Sequence, residues 1–251
     1  MAEQGFKLDV RTNIDELVRN LGIFQRDQIP FVTAYALTKT AQDIKQAEVE
    51  KMSEVFDRPT RFTLNALFVK TANKRNLTAA VLFKEGNSSI PAWRYLGPQV
   101  EGGPRVKKSH ERRLERAGIL RPEEFVVPAS GVRLDAYGNM KGGDIERILS
   151  QLGAAEQWAG YQANMTARSR KRNIRRAGGQ YIVVRGKQAP DGIYQRKGAN
   201  RVVPVMIFVR QPIYNKRFPF HETAASTFER SFARHFRAGY RNYVRRGHHP
   251  G

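Results

Sequence analysis

One stretch near the end of the sequence constrains the fold more than any other. Residues 192–218 read GIYQRKGANRVVPVMIFVRQPIYNKRF. β-Branched and aromatic residues flank a basic turn that contains glycine, and this pattern is typical of a β-hairpin. Pro204 cannot donate a hydrogen bond to a neighbouring strand, so it predicts a sheet edge or a bulge at its position. We therefore predict an antiparallel hairpin whose second strand is largely buried.

Other segments complete the predicted fold. Residues 31–56 follow Pro30 and contain neither glycine nor proline, so they predict a long helix that starts at this proline. Residues 62–69 and 77–84 predict another hairpin, and residues 180–185 predict a strand that joins the hairpin of residues 192–218. We expect an α+β fold, in which the long N-terminal helix and a C-terminal helix pack on one antiparallel sheet built from the two hairpins.

The C-terminal helix is predicted over residues 223–246 and is amphipathic. Its aromatic side chains recur at helical spacing: Phe228, Phe232, Phe236, Tyr240 and Tyr243. The second strand of the 192–218 hairpin alternates its apolar residues: Val203, Val205, Ile207 and Val209. We expect these two faces to meet around Phe232 and Phe236 and to form a two-layer core.

The segment 86–143 differs from the rest in composition. It is rich in glycine and proline, and only a short helix at 109–117 and a strand at 125–127 are predicted within it. A connection of this length is usually functional or an insertion. We predict a single domain over residues 1–251, with 86–143 as an insertion or extended arm. Trp93 and Tyr95 in this segment are either interface anchors or a small satellite core.

Charge and composition restrict the classes of function. The 251 residues include 44 Lys and Arg against 23 Asp and Glu, a net charge of +21. Such a surplus favours acidic protein surfaces or nucleic acid as partners. Cysteine is absent, which excludes disulfides and thiolate metal sites. No apolar run approaches the ~20 residues of a membrane span, and the N-terminal residues lack a signal-peptide pattern. We expect an intracellular product with no membrane partner.

Two basic clusters are the candidate binding residues. The run 168–176 has the sequence RSRKRNIRR, with six basic residues: Arg168, Arg170, Lys171, Arg172, Arg175 and Arg176. The C-terminal helix carries an arginine face: Arg230, Arg234, Arg237, Arg241 and Arg245. Each cluster is suited to phosphates, by charge neutralisation, and to carboxylates, by bidentate pairing. A solvated basic loop or helix face is the plainer interpretation of both.

Catalytic patterns are scarce. The sequence shows no nucleophile elbow, phosphate-binding loop or dinucleotide fingerprint. Its histidines have no paired metal-ligand spacing beyond His248 and His249 at the end. Asp135 and Asp144 flank a glycine-rich loop and are the pair that a metal-dependent hydrolase would use, although a turn former and a helix N-cap, respectively, are the favoured interpretation. We expect no enzyme, no cofactor and no metal site.

Several phrases of the sequence resemble a known family. The first runs over residues 29–69 and continues through AWRYLGPQVEGGPR and LDAYGNM, and the second is the 192–218 hairpin. They are similar to head–tail connector and minor tail proteins of tailed bacteriophages and, more distantly, to the minor tail protein Z and tail-completion group. The resemblance covers most of residues 8–245. This chain is longer than the tail-completion proteins, mainly through residues 86–143.

The resemblance implies a structural protein of the virion at the neck or upper tail, made in the host cytoplasm. It would form a ring of several copies that joins head and tail through charged interfaces. The implied partners are copies of itself, the phage portal, adaptor or tail proteins, and the packaged DNA. The alternative is a DNA- or RNA-binding protein that uses the basic run and the arginine face.

Overall fold

The computed structural model describes residues 5–9, 23–85, 90–155, 157–158, 161–162, 166–186, 188–198 and 200–244. Its helices are α1 (Ile23–Val55), α2 (Arg61–Leu64), α3 (Ala92–Val100), α4 (Ser109–Arg116), α5 (Gly142–Gln151), α6 (Ala167–Ala177) and α7 (Phe220–Gly239). Its strands are β1 (Gly5–Asp9), β2 (Leu67–Lys70), β3 (Thr78–Phe83), β4 (Gly103–Pro104), β5 (Glu124–Pro128), β6 (Gln157–Trp158), β7 (Tyr161–Gln162), β8 (Gln180–Val184), β9 (Gly192–Lys197), β10 (Arg201–Arg210) and β11 (Ile213–Tyr214). The predicted α+β class is confirmed. None of the described helices has the length and apolar character needed to cross a bilayer.

The chain divides into two compact units. Unit 1 comprises Met1–Gly102 and Asn215–Gly251, and unit 2 comprises Gly103–Tyr214. The segment predicted as an arm, residues 86–143, contributes α3 to unit 1 and β4, α4 and β5 to unit 2. It is thus more regular than its glycine and proline content indicates. The assignment of residues 1–251 to a single domain stays a prediction.

Unit 1 is built on a three-stranded antiparallel sheet with the order β1-β3-β2. The predicted hairpin of residues 62–69 and 77–84 is present as β2 and β3, but residues 61–64 form the short helix α2 because the Thr60 side chain accepts the backbone N–H of Thr63. Five of the six residues of β3 are buried. The core combines side chains of α1, β3 and the start of α7: Leu37, Ile44, Met52, Phe83, Phe218 and Phe220.

Helix α1 starts earlier than the sequence predicts. It begins at Ile23 and passes through Pro30, where the prediction places its first turn. A proline in a helix interior removes one hydrogen bond. Here Ile29 and Val32, on both sides of the proline, are 3% and 0% exposed, so burial offsets that loss. Residues 9–24 carry apolar residues at roughly helical spacing and so predict a further helix, but most of them lie outside the described residues.

Helix α7 packs on α1 and not on the predicted hairpin. Beyond Phe220 at its start, its buried positions are small residues: Ala224, Thr227, Ser231 and Gly239. At Gly239 an added Cβ would lie 3.0 Å from Cδ1 of Tyr35 on α1, which shows how closely the helices approach. The helix ends there and continues as a π-helical turn, Tyr240–Val244, where an α-helix to residue 246 is predicted.

The aromatic face of α7 is only partly core. Residues spaced by four are rotated by about 40° about a helix axis, because a turn takes 3.6 residues. The aromatic stripe therefore winds away from the buried face. Phe228 and Phe232 pack against the core of unit 1, whereas Tyr240 is 40% exposed.

Unit 2 contains a four-stranded antiparallel sheet with the order β5-β10-β9-β8. The predicted hairpin is confirmed as β9 and β10, its bulge lies between Pro204 and Met206, and β8 joins β9 as expected. The prediction that its second strand is largely buried is wrong, because only Val205, Met206 and Phe208 of the ten residues of β10 are buried. Strands β4 and β11 pair with each other, and so do β6 and β7. The core unites α4 and α5 with the sheet through Leu114, Ile148, Leu149, Ile193 and Met206.

The predicted two-layer core of hairpin and C-terminal helix is wrong. The bulge interrupts the alternation of β10, so that Val205 and Met206 are both buried in the core of unit 2. Phe232, their expected partner, packs against the core of unit 1. The two hairpins also belong to separate sheets. Each apolar face is covered by helices of its own unit.

Candidate functional site

The basic run 168–176 forms a helix and not the loop that its composition indicates. Helix α6 starts after Thr166, whose side-chain oxygen accepts the backbone N–H of Ser169 at 3.3 Å. It stops at Gly178, which adopts the left-handed conformation with φ 70°. Arginine and lysine are good helix formers, so a capped run of them is helical without an apolar stripe.

One side of α6 is fastened to its neighbours by amide side chains. Gln151, at the end of α5, donates from Nε2 to Oδ1 of Asn173 at 2.7 Å. Its backbone oxygen accepts a hydrogen bond from the guanidinium of Arg170. Gln195 of β9 donates to the carbonyl of Ala177 at 2.7 Å. Arg170 is thus used inside the unit and is not a free binding residue.

The opposite side of α6 is entirely cationic. The other five basic residues of the run are all exposed: Arg168, Lys171, Arg172, Arg175 and Arg176. At 100° per residue they fall within an arc of about 140°. None of their side chains makes an ion pair or a hydrogen bond with a residue that the structure describes. We call these five residues the α6 cationic face.

The β9–β10 turn extends this charge. Gly179, just after α6, lies so close to β9 that an added Cβ would be 2.3 Å from the carbonyl oxygen of Arg196. Lys197 is two residues beyond Gln195 and pairs with Arg201, so both point to the sheet face on which Gln195 contacts α6. Arg201 is exposed and Lys197 half-buried. The candidate binding residues predicted from the sequence did not include these two cations, although the basic turn of the hairpin, residues 196–201, was recognised and the expected pairing of β8 with β9 was a signal for its position.

The arginine face of α7 is partly engaged within unit 1. Arg234 lies 2.8 Å and His235 2.7 Å from the Asp43 carboxylate on α1. Burial alone would raise the pKa of Asp43, but hydrogen bonds from His235 and Ser231 and the charge of Arg234 lower it. Arg230 donates to Oγ1 of Thr227 at 3.4 Å.

The remaining α7 arginines are divided between described and undescribed parts of the chain. Arg237 and Arg241 are exposed and have no ion-pair partner among the described residues. Arg245 lies outside them. The predicted continuous arginine face is therefore reduced to two free side chains in the described part of α7 and the turn that follows it.

Several other cations of unit 2 have ion-pair partners. Arg105 donates to both oxygens of Glu111, at 2.9 and 2.6 Å, and Lys107 lies 2.7 Å from Glu115. Arg185 contacts Glu124 at 2.8 Å, and its hydrogen bond is the main reason that the pKa of Glu124 falls to about 2. The α6 cationic face differs from these cations in lacking any such partner.

The two aspartates considered for hydrolysis have structural contacts. Asp135 accepts the backbone N–H groups of Tyr137 and Asn139, at 2.9 and 2.8 Å, as a turn former does. Asp144 lies in the first turn of α5 and pairs with Arg147 at 2.8 Å. The described residues contain no group of three His, Asp or Glu side chains that could hold a metal ion.

Trp93 and Tyr95 lie on α3 and contribute to the packing of unit 1. The ring of Trp93 is 5.2 Å from that of Phe83, and the ring of Tyr95 is 5.7 Å from that of Phe62. Burial raises the pKa of Tyr95 to about 12. These contacts favour the satellite-core interpretation, and a role as interface anchors stays a prediction.

Comparison of the sequence with protein-family models finds no match, and neither does a search of the curated proteins or of the solved structures. The α6 cationic face and the β9–β10 turn are therefore the features of the structure that indicate a function.

Proposed function

We propose that this chain is a structural protein of a tailed-phage virion, located at the neck or upper tail. It assembles there as an oligomeric ring and joins head and tail components through charged interfaces. Its proposed partners are further copies of itself, portal, adaptor or tail proteins, and packaged DNA. The sequence phrases shared with connector and minor tail proteins support this role.

The α6 cationic face is the structural observation that carries the proposal. Five charged side chains on a capped, firmly attached helix contribute no ion pair to the described part of the chain. An exposed set of this kind is available to an anionic partner. It costs little to present, since exposed arginines and lysines remain hydrated when no partner is bound.

Ring formation by the full-length chain tests the proposal. Native mass spectrometry and negative-stain electron microscopy would follow the purified protein over a range of protein and salt concentrations. We expect one closed species with a single copy number, because heterologous contacts that close give a defined ring. A monomer under all conditions that also fails to bind portal, adaptor and tail proteins of its own phage overturns the proposal.

A further inference from the structure

We propose that the α6 cationic face, together with Lys197 and Arg201, forms one binding site for the phosphate backbone of double-stranded DNA. The inference rests on the proposed function, because it names the anionic partner of the same surface. It adds the β9–β10 turn to the site, and it removes Arg170 and the ion-paired Arg234 from the set of binding residues.

The dimensions of α6 match a duplex. Its 11 residues correspond to a length of about 16 Å. One DNA strand places a phosphate every ~3.4 Å along the duplex axis while it winds around that axis. Over its length α6 therefore faces part of one strand and, across the minor groove, part of the other. The α6 cationic face offers five cations over that length. Lys197 and Arg201 lie past the end of α6 and would contact phosphates further along the backbone.

The chemistry of the face favours phosphates over an acidic protein. Protein interfaces are usually centred on buried apolar or aromatic anchors and are depleted in lysine at their core. The outward residues of α6 include no apolar or aromatic side chain larger than Ala167. A surface of arginine and lysine alone is typical of backbone contacts to DNA, which position a protein without reading sequence.

The site is also ordered before any ligand binds. Gln151 and Gln195 hold α6 at its middle and at its end, and Gly179 brings the backbone of the turn against it. Binding therefore has to order long side chains but no backbone, which limits its entropic cost.

The net charge makes an anionic ligand useful to the proposed ring. Each copy carries +21, and copies brought into one ring repel one another. A duplex bound to the α6 cationic faces would neutralise part of that charge. DNA would therefore favour assembly at low salt, where the repulsion between copies is least screened.

Fluorescence anisotropy with a labelled duplex of about twenty base pairs tests the site. The full-length chain would be compared with the triple variant Arg168→Gln/Arg172→Gln/Arg175→Gln, and glutamine preserves helix propensity. The matched control is Arg112→Gln/Arg133→Gln/Lys141→Gln, which removes the same charge from exposed residues of unit 2 outside α6. Circular dichroism would show that all three proteins are folded.

We expect tight, salt-dependent binding by the unaltered chain. Seven phosphate contacts predict a slope of log K against log salt of about −6, and the α6 variant should be shallower by about 3. At about 0.1 M salt it should bind at least ~10-fold more weakly, whereas the control should stay within about twofold.

Two results overturn the inference. Equal losses in the α6 variant and the control would mean that only net charge matters. Displacement of the duplex by polyglutamate as effectively as by unlabelled DNA of equal charge would assign the surface to an acidic protein. Native mass spectrometry of the same samples separates the two proposals. Rings without DNA binding overturn only this inference. DNA binding by a chain that forms no ring at any salt and binds no portal, adaptor or tail protein overturns only the proposed function.

Discussion

Helices α4 and α6 of unit 2 are both short and rich in arginine, yet they differ in their acidic residues and in the ion pairs that these form. Helix α4 also carries Glu111 and Glu115, and these carboxylates pair with Arg105 and Lys107 within the unit. Helix α6 has no acidic residue, and its cationic face has no partner among the described residues. A basic helix therefore becomes a candidate binding surface only when its charges are not needed for its own fold.

The largest effect on stability is expected at the ion pair of Glu111 with Arg105. Glu111 is fully buried and accepts hydrogen bonds from Arg105 and from the backbone N–H groups of Val126 and Lys108. The substitution Glu111→Gln removes the counter-charge of Arg105, whose side chain is nearly buried. We expect the free energy of unfolding at neutral pH to fall by about 3–5 kcal/mol, measured by urea denaturation.

The matched control is Arg172→Gln on the unpaired face of α6, for which we expect the free energy of unfolding to change by less than ~0.5 kcal/mol. The pH dependence supplies a second control. Burial alone would raise the pKa of Glu111, but Arg105 and the two N–H groups lower it overall. The stability from Glu111 is thus present above the pKa of the unfolded chain and is lost as the pH falls through the folded value. Similar losses in both variants would contradict the comparison.

Unit 1 contains the reverse case, an acid without a cation. Glu48 of α1 is 0% exposed, and neither carboxylate oxygen has a hydrogen-bond partner among the described residues. Burial and the nearby charge of Glu222 raise its pKa to about 9, against a smaller opposing effect of Lys51. The folded state therefore keeps the proton, while the unfolded chain loses it above about pH 4.5.

The native protein should consequently lose stability as the pH rises from about 4.5 to 9. Glu48→Gln removes this dependence, and we expect it to gain a few kcal/mol at pH ~8 and almost nothing at pH ~4. Urea denaturation at the two pH values checks this. Glu222→Gln is the control, and we expect it to increase the free energy of unfolding in the same direction but by less. Identical pH slopes for the native chain and Glu48→Gln would show that Glu48 has a partner in solution.

The smallest expected effect concerns α7, which is intermediate between α4 and α6. Its Arg234 is 68% exposed but pairs with Asp43, which also contacts His235. We expect Asp43→Asn to lower the free energy of unfolding by about 1 kcal/mol at neutral pH, because partly exposed ion pairs contribute little to stability. The contribution should disappear as the pH falls through the lowered pKa of Asp43. Arg237→Gln, which loses no described ion pair, is the control and should be neutral.

Local signals in the sequence were sufficient for much of the fold. The β9–β10 hairpin and its bulge at Pro204 follow from turn chemistry and strand composition. Helix α3 does not follow from local signals, because Gly97 and Pro98 indicate a loop. Burial of Leu96 and Val100 stabilises a helix there despite them.

The choice of packing partner was the main limit of prediction. An apolar pattern shows that a face is buried but not what covers it, so α7 was assigned to the hairpin although it packs on α1. The candidate site was predicted in part. The run 168–176 gives its charge directly. The hydrogen bond of Arg170 to Gln151 depends on the packing of α6 beside α5, and the addition of Lys197 and Arg201 depends on strand pairing.

The pairing of β4 with β11 bears on how the chain folds during synthesis. Gly103 and Tyr214, the first and last residues of unit 2, lie opposite each other in this ribbon, so the unit is complete once residue 214 has left the ribosome. Helix α1 must wait for α7, whose contact with it spans 191 residues. We expect nascent chains stalled so that residue 214 has just left the ribosome to show a protease-resistant unit 2 and an unprotected α1. Early protection of α1 would contradict this order.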